Sequence, residues 1–274
     1  MRLYTVQPKE VWEQIKSGQD FICDKKKSEY LDETDISNRG FINGYNWLVK
    51  QMNKKIQNPD KIEYPIWAWY KREGINEYPD LNGLGLGYNE PCVMIELEVP
   101  DEEVLLSDFD LWHCVLNDSY IYDEKLTDWD NDILIPINED KEKSWEEIFN
   151  VETAKYIQAT FWKISRDMVI SAEEFFPNNV DLCVELESIE ESGIDNELIE
   201  FIKKDFILSP EKWAENYLKN EIKTKQMRSG YKESDIASLD SLIEQNSASK
   251  ETVEKINKLF SYLKIKSIEI SQTK

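Results

Sequence analysis

The stretch Tyr64-Pro65-Ile66-Trp67-Ala68-Trp69-Tyr70-Lys71-Arg72 is the part of the sequence that says most about the fold. In an extended chain, alternate side chains point to opposite faces. One face of this stretch therefore carries Ile66 and Ala68, and the other carries Trp67 and Trp69. Apolar residues on both faces are typical of a strand that is covered on two sides. We therefore predict an internal β-strand here.

Two tryptophans on one strand face also allow a functional interpretation. Trp67 and Trp69 can form a wall for a planar ligand, and Lys71 or Arg72 at its rim can bind an anion. The alternative is that both indoles only fill a core, which is the commoner role of buried aromatic residues.

The composition is that of a folded, acidic protein with one large domain, or one domain and an appendage. Hydrophobic residues make up 41% of the 274 residues, which is far from a disordered composition. The formal net charge of -22 repels phosphate backbones, which argues against general coating of nucleic acid. Because no apolar run is long enough to span a bilayer and no signal peptide begins the chain, we expect no membrane association.

Residues that bind metals or form disulfides are few and scattered. The four cysteines show no paired spacing, so the sequence predicts neither a zinc site nor a disulfide framework, and a reduced, cytoplasmic setting fits. His113 is the single histidine; it lies in an apolar helical segment, and we expect it to be a packing residue. We predict no metal site.

Two further motifs carry little functional information. Glu96 and Glu98 share one strand face and can in principle bind a metal, although we expect solvated charges. The glycine-rich run Gly83–Gly87 suggests a phosphate-binding loop, but no lysine or serine follows at the required spacing. We therefore interpret this run as an ordinary flexible connection.

Strand and helix patterns follow one another through the first two thirds of the chain. A helix with Pro8 at its start is predicted after the first strand, and Ser107-Asp108 is predicted to cap another helix. The segment 156–172 is predicted to hold a hairpin or two consecutive strands. The other predicted elements are strands at Leu3–Gln7, Phe21–Cys23 and Cys92–Val99, and a helix at Gly44–Ile56.

After Pro177-Asn178-Asn179 the hydrophobic periodicity becomes helical. We therefore divide the chain into an α+β body, residues 1–179, and a mostly helical appendage, residues 180–274, that the body does not need for folding. The appendage is predicted to contain helices at Asp195–Ile207, Ser209–Met227, Ser234–Asn246 and Ser249–Leu263, and a short strand around Ile268 and Ile270.

Several motifs of the body are similar to those of a bacterial family of domains of unknown function. They are Leu-Tyr-Thr-Val-Gln at Leu3–Gln7, Tyr-Pro-Ile-Trp-Ala-Trp-Tyr at Tyr64–Tyr70, and the segment Glu96–His113 with its Leu-Leu-Ser-Asp-Phe-Asp-x-Trp-His. Lys141–Phe149 and Gln158–Ile164 extend the resemblance, which covers about residues 1–177. The resemblance implies no established activity.

More weakly, the order of segments resembles the ADP-ribosyltransferase superfamily, especially its DNA-modifying toxin branch. In that superfamily a Tyr-His-x-Thr first strand binds NAD, and a late strand carries a catalytic glutamate. Tyr4-Thr5-Val6-Gln7 takes the first position on this comparison, and Gln158-Ala159-Thr160 takes the second. Thr5 stands in place of the histidine and Thr160 in place of the glutamate. Threonine cannot supply the charge that stabilises a cation-like sugar.

This second resemblance implies an α+β fold with a split, mostly antiparallel sheet, flanking helices and a cleft for NAD or a related nucleotide. It also implies a part in bacterial conflict systems, such as phage defence or toxin–antitoxin pairs. The competing hypothesis is a non-catalytic binding or regulatory module that engages a peptide or protein partner. On the first hypothesis the catalytic positions are Gln158 and Thr160, and the cofactor-binding residues are Tyr4, Thr5, Gln7, Trp67, Trp69 and Arg72.

Overall fold

The computed structural model describes residues 1–28, 31–58, 60–84, 90–123, 125, 128, 133–178, 180–193, 196–206, 208–229 and 247–265. The predicted helix at Ser234–Asn246, the predicted final strand and part of the glycine-rich run Gly83–Gly87 lie outside these residues. No helix in the described part of the chain is long and apolar enough to cross a membrane.

Six strands form the main sheet of the protein. They are β1 (Arg2–Pro8), β3 (Ile66–Lys71), β4 (Cys92–Glu98), β5 (Leu105–Asp108), β6 (Ile157–Phe161) and β8 (Val169–Phe175). Their order is β5-β6-β3-β1-β4-β8, and the pairs β1–β3, β3–β6 and β5–β6 are antiparallel. Two short strands, β2 (Phe21–Ile22) and β7 (Lys163–Ile164), form a separate antiparallel pair. The prediction of a mostly antiparallel sheet combined with helices is confirmed.

Strand β3 lies between β6 and β1, which confirms the prediction of an internal strand. Its side chains alternate as expected, because Ile66 and Ala68 are buried while Trp67 and Trp69 are half-buried. Consecutive strands of the segment 156–172 do not form a hairpin in the main sheet, since β6 and β8 lie at different places in the strand order.

Four helices connect the described strands of the body: α1 (Lys9–Lys16), α2 (Arg39–Lys55), α3 (Phe109–Leu116) and α4 (Lys141–Ser144). Helix α3 is capped by Asp108, whose carboxylate accepts hydrogen bonds from the backbone nitrogens of Asp110 and Leu111 at 2.8 and 3.1 Å. The sequence predicted this cap but missed β5, which ends directly at the cap residue. A four-residue strand that runs straight into a helix leaves no turn residue to mark it.

An aromatic core lies where α2 and α3 pack against the sheet. The rings of Trp47 and Trp145 meet edge to face at 5.5 Å, and Trp47 stacks on Phe149 at 5.7 Å. Gly40 allows α2 to approach α3 closely, since a Cβ atom there would lie 2.5 Å from the carbonyl oxygen of Leu116. The buried members of this core are Trp47, Leu48, Met52, Ile56, Ile62, Leu105, Trp112, Val115, Ile121, Trp145, Ile148 and Trp162.

The chain forms two compact units. The first contains Met1–Thr5, Glu10–Glu77 and Ile95–Ala172, and the second contains Val6–Lys9, Tyr78–Met94 and Glu173–Lys274. Compactness does not measure independent folding, so the division into a body, 1–179, and an appendage, 180–274, stays a prediction.

The second unit is rich in helices: α5 (Leu182–Ser192), α6 (Asn196–Asp205), α7 (Pro210–Ser229) and α8 (Ser247–Tyr262). The sequence predicted α6, α7 and α8 to within a few residues and missed α5, although Asp181 caps α5 by accepting from two backbone nitrogens. The helices share a hydrophobic core that contains Trp213 and Phe260, and its other central members include Ile202, Ile256, Leu259 and Leu263.

One face of α7 is buried and polar. The Asn220 side-chain amide donates to the Phe176 carbonyl at 2.9 Å, and the Thr224 hydroxyl oxygen accepts from the Leu81 backbone nitrogen at 3.1 Å. The Asn82 amide donates to the Tyr217 carbonyl at 3.0 Å. These bonds satisfy backbone groups of the segments that pack on α7, as buried polar groups require.

Candidate functional site

Four side chains form a continuous row across one face of the sheet. The strand registers pair Tyr4 with Trp69, Trp69 with Gln158, and Gln158 with Ser107. Directly opposed residues in antiparallel strands point to the same face, with Cβ atoms about 4.5–5.5 Å apart. We call Tyr4, Trp69, Gln158 and Ser107 the outer row. It crosses β1, β3, β6 and β5.

A second row lies two residues further along the same strands. Trp67 opposes Thr160, and Thr160 opposes Leu105. We call these three residues the inner row. It lies beneath α2 and α3, because the Trp67 ring packs 5.1 Å from Trp112 and 6.1 Å from Tyr45. The inner row is therefore part of the aromatic core.

The outer row lies where α3 begins, at the margin of the helical cover. Trp69 and Gln158 are both half-buried. The Trp69 ring contacts Phe109, the first residue of α3, with ring centroids 5.0 Å apart. The guanidinium of Arg72 lies 5.2 Å over the same indole, in the range of a cation–π contact. The Trp69 indole thus has the positively charged Arg72 guanidinium beside its face.

Two buried hydrogen-bonding atoms on this face have no partner among the described residues. They are the Ser107 hydroxyl oxygen in the outer row and the Trp67 Nε1 in the inner row. Ser107 is only 1% exposed. A buried polar atom without a partner costs about 1–3 kcal/mol, so native proteins rarely leave one unpaired unless water or a ligand binds it.

A buried carboxylate lies on the other side of Tyr4. Glu96 in β4 forms an ion pair with Arg2 at 3.1 Å and accepts a hydrogen bond from the Ser171 hydroxyl at 2.8 Å. Burial of Tyr4 raises its pKa, and the nearby Glu96 carboxylate raises it further. Our expectation that Glu96 is a solvated charge was wrong, because its two partners from β1 and β8 compensate its burial. Glu98 is exposed, as expected.

The structure brings half of the predicted site residues together. Tyr4, Trp69 and Gln158 lie in the outer row, and Arg72 covers the indole of Trp69.

The other predicted site residues lie elsewhere. Thr160 is 1% exposed, and its hydroxyl donates to the Leu105 carbonyl at 3.2 Å. The Thr5 hydroxyl donates to the Trp67 carbonyl at 2.9 Å. Strand alternation directs Thr5 and Gln7 to the face opposite Tyr4. Trp67 and Thr160 belong to the inner row.

Sequence reasoning missed Ser107 and Phe109 as members of the site. Ser107 precedes a helix and was interpreted as part of its cap, a role that Asp108 fills alone. Its position opposite Gln158 follows only from the pairing of β5 with β6.

His113 is exposed, so the expectation of a packing residue holds only for its contact with Phe109 in its own helix. Its ring meets Phe109 edge to face at 4.6 Å, and Nδ1 lies 2.8 Å from the Phe109 carbonyl oxygen. His113 therefore supports the ring that contacts Trp69. In the described part of the chain, no three acidic, histidine or cysteine side chains converge as metal ligands do. All four cysteines are free thiols.

Comparison with protein families gives a match. Residues 2–133 match the model of a family described as a domain of unknown function (DUF3841), whose description assigns no activity. No curated protein and no solved structure matches the chain. The matched range contains Tyr4, Trp69, Arg72 and Ser107, whereas Gln158 follows it in the sequence. From Arg2 to Ile133 the chain is thus similar to this family of domains of unknown function.

Proposed function

We propose that the outer row binds a nucleotide, NAD or a close relative, in an ADP-ribosyltransferase-like domain. The observation that carries the proposal is the lateral alignment of Tyr4, Trp69 and Gln158 on one sheet face, with the Arg72 guanidinium over the indole. This set combines an aromatic surface, an amide and a permanent positive charge. Those are the groups that bind a base, its polar edge and a phosphate.

Each residue has a distinct expected part in binding. Trp69 offers a stacking surface worth roughly 1–3 kcal/mol to a bound base. Arg72, next to that surface, neutralises phosphate charge with a planar group that can donate two hydrogen bonds. The Gln158 amide reads the polar edge of the ring, since it both donates and accepts.

The proposal concerns binding and does not extend to group transfer. Stabilising a cation-like sugar requires a negative charge at the reacting carbon. Gln158 and Thr160, which occupy the catalytic positions implied by the superfamily resemblance, are both uncharged. Thr160 is also 1% exposed, and its hydroxyl donates to the Leu105 carbonyl. A binding or regulatory role for the nucleotide therefore fits these residues best.

Calorimetric titration with NAD, ADP-ribose and ATP tests the proposal. We expect binding of at least one of the three, and a loss of about ten-fold or more in Trp69→Ala, since ten-fold corresponds to 1.4 kcal/mol. Trp12→Ala is the matched control, because Trp12 is also half-buried and carries an arginine, Arg166, 5.6 Å over its ring. Folded protein that gives no heat with any of the three at millimolar concentration would contradict the proposal.

A protein-binding role is the second candidate, and an exposed aliphatic segment favours it. Ile133, Leu134, Ile135 and Ile137 all expose a large part of their side chains. Contiguous exposed apolar residues of this kind mark interaction surfaces in many proteins. The double change Leu134→Lys and Ile137→Lys should leave both folding and nucleotide affinity unchanged. A fall in nucleotide affinity in that variant would instead assign the segment to the nucleotide site.

A further inference from the structure

Residues 133–137, the exposed aliphatic segment, run antiparallel to the chain that precedes them, and two isolated β-bridges join the two stretches. The odd-numbered residues of the segment make the backbone hydrogen bonds of this pairing. These bonds join Ile133 to Asp128 at 2.9 Å, Ile135 to Asp123 at 2.8 Å, and Ile137 to Ile121 at 2.8 Å. One edge of the segment is therefore paired.

The opposite edge of the segment is free. In an antiparallel pair, the backbone groups of alternate residues face opposite edges, so Leu134 and Pro136 direct theirs away from the paired chain. The N–H and C=O of Leu134 and the C=O of Pro136 have no hydrogen-bond partner among the residues that the structure describes. Such an edge is a template for a further strand, and strand addition is a recurring mode of peptide recognition.

Large aliphatic side chains flank this free edge. Strand alternation places Ile133, Ile135 and Ile137 on one face of the segment and Leu134 on the other. All four are exposed, from 37% for Ile135 to 52% for Ile133. A strand that adds to the edge removes apolar surface from water on both faces, and its backbone pairs with the free groups. The segment thus offers apolar contacts and hydrogen bonds together.

Carboxylates surround the exposed aliphatic segment. Asp123 and Asp128 lie on the paired chain, while Glu139 and Asp140 follow the segment in the sequence and are exposed. Residues 121–140 contain seven acidic residues and one basic residue, Lys125. Complementary charge favours a basic partner. Like charge disfavours a second copy of this chain, because that copy would bring an equally acidic segment to the edge.

We propose that the exposed aliphatic segment binds an extended stretch of a basic partner protein, which adds as a strand along the free edge at Leu134 and Pro136. The partner stretch carries aliphatic residues at alternate positions and lysine or arginine between them. This inference rests on the protein-binding role given above as the second candidate function. It names the mode of binding and the chemistry of the partner, and it does not depend on the nucleotide site.

Three synthetic peptides test the charge of the partner on the intact protein. Each has about seven residues, the length of a short strand, with valine at alternate positions and lysine, glutamate or glutamine between. Fluorescence anisotropy measures their affinities. We expect the lysine peptide to bind about ten-fold or more tightly than the glutamate peptide at low salt, with the difference shrinking at about 1 M salt, where the Debye length is about 3 Å.

Two N-methylated forms of the lysine peptide test strand addition. An added strand uses the N–H groups of alternate residues, so only one alternate set can donate to the free carbonyls of Leu134 and Pro136. Methylation of that set should weaken binding by about ten-fold or more, since two hydrogen bonds are lost. Methylation of the other set is the matched control and should change the affinity by less than about two-fold. Equal effects of the two sets would overturn strand addition.

A pair of lysine substitutions assigns the peptide to the segment. Ile137→Lys should weaken binding of the lysine peptide by about ten-fold or more, because it removes an apolar contact and adds a like charge. Ile170→Lys is the matched control, since Ile170 lies on β8 and is 47% exposed, against 41% for Ile137. Circular dichroism verifies that both variants fold. Equal losses in the two variants would place the peptide elsewhere and overturn the inference.

The remaining outcomes separate this inference from the proposed functions. Equal binding of the lysine and glutamine peptides at low salt would overturn the basic partner and leave a protein-binding role intact. Failure of every peptide to bind would overturn the inference, whereas the titration with nucleotides still decides the nucleotide site. A dimer of the free protein in sedimentation that Ile137→Lys abolishes would assign the edge to a second copy of the chain. The peptide comparisons on the wild-type protein do not depend on whether a variant folds.

Discussion

The inner row and the outer row occupy the same strands and the same sheet face, yet they have different surroundings. In the inner row, Thr160 is 1% exposed and its hydroxyl donates to the Leu105 carbonyl. In the outer row, Gln158 is half-buried and faces a serine hydroxyl that has no partner in the described residues. The two positions are only two residues apart in β6.

The difference shows that the helical cover, more than the strand sequence, separates packing residues from candidate binding residues. The Trp67 ring packs against Trp112 from α3 and Tyr45 from α2, whereas the Trp69 ring meets only the start of α3 and the Arg72 guanidinium among its ring and cation contacts in the described residues. Both tryptophans are half-buried, but Trp67 packs against rings of two helices and Trp69 lies at the margin of that packing. The packing interpretation therefore holds for Trp67, whereas the ligand-binding interpretation of Trp69 stays a proposal.

The largest expected effect is on stability and separates the two tryptophans. Trp67→Ala should lower the free energy of unfolding by about 3 kcal/mol, since it leaves a cavity beside the rings of Tyr45 and Trp112. Trp69→Ala should lower it by only about 1 kcal/mol, because its ring lies at the margin of the core. Denaturant unfolding of both variants measures the difference. Equal losses would mean that the two rows are packed alike.

Thr160→Val gives a smaller effect and tests whether the inner row is only structural. Losing the hydrogen bond to Leu105 should cost about 1 kcal/mol of unfolding free energy. Nucleotide affinity should stay within about two-fold, since the Thr160 side chain is buried and its hydroxyl is already bonded to the Leu105 carbonyl. A folded Thr160→Val protein that no longer binds NAD would place the inner row in the binding site.

The smallest effect concerns the pH dependence of stability at the Tyr4 end of the outer row. Burial raises the pKa of Tyr4 in the folded protein, so above about pH 10 the unfolded chain releases this proton first. The contribution of this raised pKa to the free energy of unfolding is fully present below about pH 10. It is lost as the pH rises through the folded-state pKa of Tyr4.

Tyr4→Phe should therefore lose less stability than the wild type between about pH 9.5 and pH 11. Burial also raises the pKa of Tyr64 and of Tyr217, but both residues are present in the two proteins and their contributions cancel. Urea unfolding at a series of pH values measures the two slopes. Parallel curves would show that Tyr4 titrates alike in the folded and unfolded states.

The sequence was sufficient to predict β3 and its place inside the sheet, because apolar residues on both faces of a strand leave no solvent side. It also placed Tyr4, Trp69 and Gln158 in one site. Their alignment depends on pairings between strands that are separated by more than 60 residues, which no local pattern specifies.

Ser107 and Thr160 illustrate what local patterns do not contain. Ser107 was missed because a short strand ends where a helix begins, and capping chemistry explained the serine equally well. The burial of Thr160 depends on tertiary packing over its sheet face, which no local pattern specifies. The strand register and the packing of helices over the sheet both depend on contacts between residues that are far apart in the sequence.

The most direct test of the central claim is a titration of ¹⁵N-labelled protein with NAD, followed through the indole N–H signals of its nine tryptophans. Signals are assigned by single Trp→Phe variants. We predict that the Trp69 signal moves most with added NAD, while that of Trp213, in the helical core of the second unit, stays in place. Nine unmoved signals at millimolar NAD, or a shift confined to tryptophans outside the outer row, would contradict the account.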